Sequence, residues 1–263
     1  MIVSLGDLLL DVIVRLEQPL AEGADANAVT RLGPGGQAAN VAAWVAELGG
    51  RARFVGKIAA DEAGLAARGG LERYGVEVCG PVVEGRTGMV VSLVSEDGGR
   101  TMASDRGVSP DLRADELDAA WLGGCETLHL AGYSLLRSPI DEAALYAAEL
   151  VSRLSVDLSS WSAIRDFGPA RFRERLEALR PDVVFANEEE EQILGGPIEC
   201  DTWILKLGPR GARFGELELP ARPARVVDTT GAGDALAAGY LVGGPELALE
   251  AAALCVARLG SMP

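Results

Sequence analysis

The stretch Val226 to Gly239, Val-Val-Asp-Thr-Thr-Gly-Ala-Gly-Asp-Ala-Leu-Ala-Ala-Gly, carries the residues best suited to chemistry. Two β-branched residues read as a strand end, and Asp228 with two threonines as a turn. Small residues then run into a helix-forming sequence from Ala235 to Leu241. Gly231 and Gly233 leave backbone N–H groups bare at the start of that helix, where an anion is best held. Asp234 falls in the first turn, where the helix dipole favours the ionised carboxylate, a form able to accept a proton. An anion cradle beside a base is what phosphoryl transfer to a hydroxyl requires. Alone, the string also fits a capped helix. A dinucleotide fingerprint is disfavoured, because Leu236 stands at the third glycine position.

Two further groups bear on that choice. Asp11 sits inside the apolar run 8–16, where a carboxylate is costly unless it faces a polar ligand or cavity. Downstream comes Gly33-Pro34-Gly35-Gly36-Gln37-Ala38-Ala39-Asn40-Val41. Val41, Trp44, Val45 and Leu48 repeat at helical spacing, so a helix follows the glycines. Gly35 and Gly36 let a ligand approach the backbone, and Asn40 offers both a donor and an acceptor.

Asp-Thr-Thr-Gly-Ala-Gly-Asp at 228–234 resembles the C-terminal signature of the ribokinase-like (PfkB-type) carbohydrate kinases. Gly-Gly-x-x-x-Asn at 35–40 resembles their N-terminal, sugar-binding signature, and Gly6, Asp7 and Asp11 match their first strand. Two separated signatures in the right order are far more specific than either alone. The resemblance covers nearly the whole chain and implies an ATP-dependent kinase acting on a primary sugar hydroxyl. Asp234 would be the base, with the amides of Gly231, Ala232 and Gly233 around the transferred phosphoryl group. Asp11, Gly35, Gly36 and Asn40 would hold the sugar, and Arg106 resembles a substrate-facing arginine. Asn187 and Glu190 fit an Asn-x-x-Glu motif that places hydrated Mg²⁺. Gly208 and Gly211, in a Leu-Gly-x-x-Gly turn, would line the nucleotide site with Asn187 and Lys206. Asp228 and Thr230 would form part of a K⁺ loop. Ribose, fructose and 2-keto-3-deoxygluconate all remain open as the sugar. A nucleoside (adenosine-type) kinase of the same fold is one alternative, although few aromatics lie near Asp11 or Asn40 to grip a base. A non-catalytic sugar sensor is another. The family lid is often used for dimer contact, so a homodimer through it is expected.

These residues need a scaffold. At 263 residues the chain fits one α/β domain, 1–263, with an ample core. Elements alternate as a doubly wound, mostly parallel sheet flanked by helices requires. Strands are predicted at 2–5, 52–58, 127–130, 155–158, 182–185, 202–207 and 213–219. Helices are predicted at 61–74 (Leu65 and Leu71 inward), 115–122, 139–154, 170–179 and 246–259. Asp157 ends a strand at the carboxyl edge, where ligands gather. From 82 to 103 the period changes to two, with a hairpin turn at 96–99. That hairpin and the weakly patterned 17–31 suit a small β lid, formed by segments about 8–31 and 82–106. Between Leu194 and Thr202 the chain is short, where the family usually fits another helix.

Composition narrows the partners. A formal charge of −15 argues against nucleic acid, whose phosphates need clustered cations. No run is long and uncharged enough to span a membrane, and the N-terminus lacks a basic start, so a cytoplasmic protein is expected. The single histidine, His129, reads as a core residue, and the four cysteines lack metal-ligand spacing. No Gly-x-x-x-x-Gly-Lys-Ser/Thr loop occurs, so a P-loop kinase is disfavoured.

Overall fold

The computed structural model describes residues 1–95 and 99–263. The turn expected at 96–99 therefore lies, apart from Gly99, outside the described residues. Among the described residues, nine strands form one sheet. From one edge these are Leu217–Leu219, Ala212–Phe214, Thr202–Lys206, Val183–Asn187, Leu154–Asp157, Thr127–Ala131, Ile2–Leu5, Ala52–Val55 and Glu77–Cys79. The last seven run parallel. The chain turns back on itself at the edge as a hairpin through Gly215 (φ 60°). The single strand expected at 213–219 is thus two, because a glycine in the left-handed region reverses the chain.

The central parallel strands are buried on both faces, which explains their continuous apolar runs such as Val183-Val184-Phe185-Ala186. On one face lie helices Gln37–Glu47, Glu62–Glu72, Ala232–Gly243 and Pro245–Val256, packed around Trp44, Phe54 and Phe185. On the other lie Ile140–Glu149, Trp161–Phe167, Pro169–Leu179 and Glu188–Leu194, around Leu128, Leu130 and Phe172.

Several local expectations change. In helix Glu62–Glu72 Leu71 is buried but Leu65 is exposed. Six residues is a poor helical repeat, and Gly64, Ala67 and Leu71 form the inward stripe instead. The helix expected at 115–122 is two 3₁₀ turns, Ala114–Glu116 and Ala119–Leu122. The one expected at 139–154 ends at Glu149, and its last residues give way to the next strand. The helix Trp161–Phe167 has no counterpart in the sequence pattern, because Gly168-Pro169 closes it after only two turns. The short 194–202 connection holds no helix, and the Arg173 guanidinium braces it by donating to the carbonyls of Leu194, Gly196 and Pro197.

A second sheet, Ala28–Gly35, Leu9–Leu16, Thr87–Val94 and Arg100–Gly107, stands apart from the first. The strand Ala28–Gly35 occupies residues read as loop and glycine turn. Pro34 is tolerated there because the strand is at the sheet edge. Val82–Val83 pairs with Ile58–Ala59 rather than joining this sheet. Along Leu9–Leu16 the side chains of Leu9, Asp11 and Ile13 share one face, and that face looks onto the main sheet's carboxyl edge. Among the described residues no helix is long and apolar enough to cross a bilayer.

Candidate active site

The switch in strand order falls between Ile2–Leu5 and Thr127–Ala131, where a doubly wound sheet opens a crevice at its carboxyl ends. A cleft of about 980 Å³ lies there. The residues that follow or end five parallel strands, Asp7, Tyr133, Asp157, Asn187 and Lys206, all line it. The second sheet closes it from above with Asp11, Ile13, Val90, Ser92, Ser104 and Arg106.

Two helices begin at the cleft. Gln37–Glu47 follows Gly36 (φ 96°), and Ala232–Gly243 follows Gly231 (φ 78°); neither N-terminus has a side-chain cap. The Ala232 amide makes only a long, 3.4 Å bond back to the Thr229 carbonyl, and uncapped N-termini of this kind suit an anion. Gly36 is required, since a Cβ would meet the Asp7 carbonyl at 2.3 Å. Gly35 has a different role from the one expected. It is absent from the cleft wall, and a Cβ there would strike the Asp11 carboxylate at 1.9 Å. Its bare Cα makes room for Asp11 rather than for a ligand.

The predicted sugar and base residues meet. Asn40 Nδ2 donates to Asp234 Oδ2 at 2.7 Å, across 194 residues of sequence. Burial, opposed by the Asn40 hydrogen bond and aided by the negative charge of Asp157, pushes the Asp234 carboxyl up to about 7. The dipole argument from sequence is thus outweighed by loss of water, and the result is a carboxyl poised near neutrality. Burial likewise lifts Asp11 to about 7. Arg106 donates to both Asp7 oxygens, at 2.5 and 2.9 Å, and its guanidinium sits 5.8 Å from the Tyr133 ring centroid.

The other end of the cleft is built around a half-buried cation. Lys206 Nζ lies 2.8 and 3.0 Å from the two Asp157 oxygens and 3.9 Å from Glu190 Oε2. Burial works against the ammonium, but Asp157 and Glu190 outweigh it and hold Lys206 above the ordinary lysine range. Glu190 Oε2 accepts from the Asn187 amide at 2.8 Å, and Asn187 Oδ1 accepts from the Glu190 amide at 2.8 Å. This capping box starts helix Glu188–Leu194 and fixes both side chains at the cleft. Gly208 and Gly211 also line this end, followed by an apolar slot of Val226, Leu249, Ala252 and Val256.

Asp228 is fully buried behind the wall. Its carboxylate accepts from Thr230 N and Oγ1 at 2.9 and 2.7 Å and from Gly260 N at 3.0 Å. Thr230, Gly231, Ala232 and Gly233 reach the cleft. Sequence reasoning missed three polar groups. Gln37 lines the cleft with Asp234 and accepts from Ser159 Oγ. Ser159 itself is held at φ 73°, a left-handed conformation uncommon for serine. Ser261 touches Asp11 and Asn40. Only for Gln37, inside the Gly-Gly motif, was a signal present. His129 is buried and pushed down to about 4 by that burial, a neutral ring 2.9 Å from Ser155 Oγ and outside the cleft.

If Asp234 accepts the proton, activity requires its ionised form. We therefore expect kcat/KM to fall as pH drops below about 7, because the folded carboxyl is protonated there. Removing the Asn40 donor, which favours the charged form, should move this acid limb to higher pH. A pH–rate profile of wild type and Asn40→Ala checks both; a limb near pH 4 in wild type contradicts them.

Residues 1–262 match the pfkB family carbohydrate kinase. An ATP-dependent ribose-1-phosphate kinase of Halopiger xanaduensis is 32% identical, covering 97% of this chain and 90% of its own length. Fructokinase-1 of Zea mays is 32% identical over 92% of this chain and 82% of its own. Among solved structures, the adenosine kinase of Sinorhizobium meliloti aligns with a TM-score of 0.88 at 25% identity, covering 100% of this chain and 95% of that one.

Proposed function

This chain belongs to the pfkB family of carbohydrate kinases and has a ribokinase-like fold, and from that premise we propose that it transfers the γ-phosphoryl group of ATP to a primary hydroxyl of a small neutral sugar. The observation that carries this reading is the 2.7 Å bond from Asn40 to Asp234, which joins a sugar pocket to a base at an open helix N-terminus. Asp11, Asn40 and the Gly36 turn hold the sugar hydroxyls. Asp234 accepts the proton of the attacking hydroxyl, and the amides of Gly231 to Gly233 receive the charge that develops on the phosphoryl oxygens. The apolar slot beyond Gly211 takes the adenine, with Lys206, Gly208 and Asn187 along the phosphates.

The oxygen donors Asn187 and Glu190 at this end suit Mg²⁺ held through water. Among the described residues no three carboxylate, His or Cys groups converge as a cage, so water and phosphate would complete the shell. Bound with the nucleotide, Mg²⁺ supplies charge neutralisation on the phosphates. Asp228 and Thr230 shape a loop that would hold K⁺ through its backbone. The second sheet serves as the lid. Its outer face carries half-exposed Val12, Val14 and Val91 with exposed Leu32 and Met89, a surface suited to a second copy of the chain.

A neutral sugar is favoured over a sugar acid because Arg106, the cation at this end, is already matched by Asp7. Asp11 and Asp234 add further negative charge. An ADP-release screen over ribose, fructose, 2-keto-3-deoxygluconate, ribose 1-phosphate and adenosine, with and without K⁺, tests the reading. Ribose or fructose should lead. A preference for adenosine or for an anionic acceptor would overturn the substrate class, and silence with all would favour a sensor. With the best acceptor, Asn40→Ala should raise the sugar KM by ~10-fold or more, and the ATP KM far less. An unchanged sugar KM contradicts the role given to Asn40.

A further inference from the structure

Beyond helix Pro245–Val256 the last residues fold back beneath the cleft. Gly260 N donates to Asp228 Oδ2, and Trp44 Nε1 donates to the Ser261 carbonyl at 2.8 Å. Gly231 packs so closely on this segment that a Cβ there would meet Ser261 Cα at 2.7 Å. Ser261 is 2% exposed, and its backbone is thus fixed from two sides. Its Oγ stands 3.0 Å from Asn40 Oδ1 and 3.2 Å from Asp11 Oδ2. Asn40 Nδ2, at the far edge of the same amide, donates to Asp234.

We infer that Ser261 is a positioning residue for phosphoryl transfer: its hydroxyl locks the Asn40 amide with Nδ2 toward Asp234 and ties that amide to the sugar-holding Asp11. The inference rests on the kinase reading above. An amide has one donor edge and one acceptor edge. Turned over, Asn40 would set Oδ1 against the Asp234 carboxylate, two acceptors facing each other. A hydroxyl that donates to Oδ1 disfavours that turn. The Trp44 indole cannot stand in, because its N–H is committed to the Ser261 carbonyl. The serine has a single proton to give. When it goes to Asn40, the Ser261 oxygen can accept from Asp11, whose carboxyl holds a proton part of the time near neutrality. When Asp11 is ionised, the same proton can turn to Asp11. A continuous line of hydrogen bonds, Asp11–Ser261–Asn40–Asp234, therefore spans the floor of the sugar pocket. A sugar hydroxyl that binds Asp11 meets an amide already aligned with the base.

The test is a double-mutant cycle of Ser261→Ala and Asn40→Ala, with Ser261→Cys as a size-conserving variant and weaker donor. Ser261→Ala should lower kcat/KM for the sugar ~10-fold, the worth of a buried hydrogen bond to a charged or amide group, with the ATP KM within about twofold. Ser261→Cys should fall between it and wild type. The double variant should lose ~3-fold less than the product of the single losses, since both act on one amide. Wild-type kinetics in Ser261→Ala, or losses that multiply, overturn the inference. A second readout needs no turnover. The Asn40 side-chain amide resonances, assigned by their loss in Asn40→Ala, should exchange slowly with water in wild type and faster in Ser261→Ala; equal exchange overturns the inference. Should wild type phosphorylate none of the sugars, the kinase reading fails, and amide exchange still decides whether Ser261 holds Asn40.

Discussion

Asp234→Asn should lower kcat by ~10²–10⁴-fold, the usual worth of a general base. The substitution keeps size and shape. The amide it introduces can still present an oxygen to Asn40 Nδ2, so the bond that now measures 2.7 Å has a partner and the pocket keeps its form. What disappears is the carboxylate oxygen proposed to take the hydroxyl proton. The cradle proposed for the phosphoryl group is backbone, from Gly231 to Gly233, and is untouched. ATP affinity, measured by calorimetry, should therefore stay near wild type while ADP release collapses. Near-normal turnover in this variant would remove Asp234 from the mechanism.

The second large effect is expected at Lys206. Lys206→Met should destabilise the fold by about 3–5 kcal/mol, the cost of leaving a buried charge without its partner. Asp157 is fully buried, and both its oxygens face Lys206 Nζ. Glu190, 2% exposed, leans on the same ammonium. Lys206→Met with Asp157→Asn removes both charges and should regain most of that stability, as neutral replacement of buried pairs often does. It should not regain ATP affinity. A Cβ built on Gly233 would lie only 3.5 Å from Nζ, so the ammonium stands under the turn proposed to cradle the phosphates. Chemical denaturation and the ATP KM of the two variants separate the effects. Wild-type stability in Lys206→Met, or wild-type ATP affinity in the double variant, contradicts this account.

Much of this arrangement is legible in the chain because its chemistry is local. Glycines before helices at 36 and 231 announce uncapped N-termini, and Asp11 in an apolar run announces a cavity. Apolar strands that stop at Asp157, Asn187 and Lys206 mark the carboxyl edge. What stays hidden depends on distance or on competing local signals. The strand Ala28–Gly35 is mostly exposed, so it shows no alternation, and its Gly-Pro-Gly end mimics a turn. Leu65 looks like core until the phase of its helix is known. The raised carboxyl of Asp234 follows from its burial, with the charge of distant Asp157 adding to it, and this outweighs both the Asn40 hydrogen bond and the dipole visible in sequence. Ser261 sits 250 residues from Asp11, and no local pattern ties the two together.

The most direct test is a structure of the protein with a non-hydrolysable ATP analogue, Mg²⁺ and its best sugar. The account predicts the terminal phosphate at the amides of Gly231 to Gly233 and a primary sugar hydroxyl within hydrogen-bond reach of Asp234. The hydroxyl oxygen should face phosphorus at about 3–3.5 Å, the spacing of a near-attack arrangement. A sugar bound away from Asp234, or a nucleotide whose terminal phosphate avoids those amides, would contradict it.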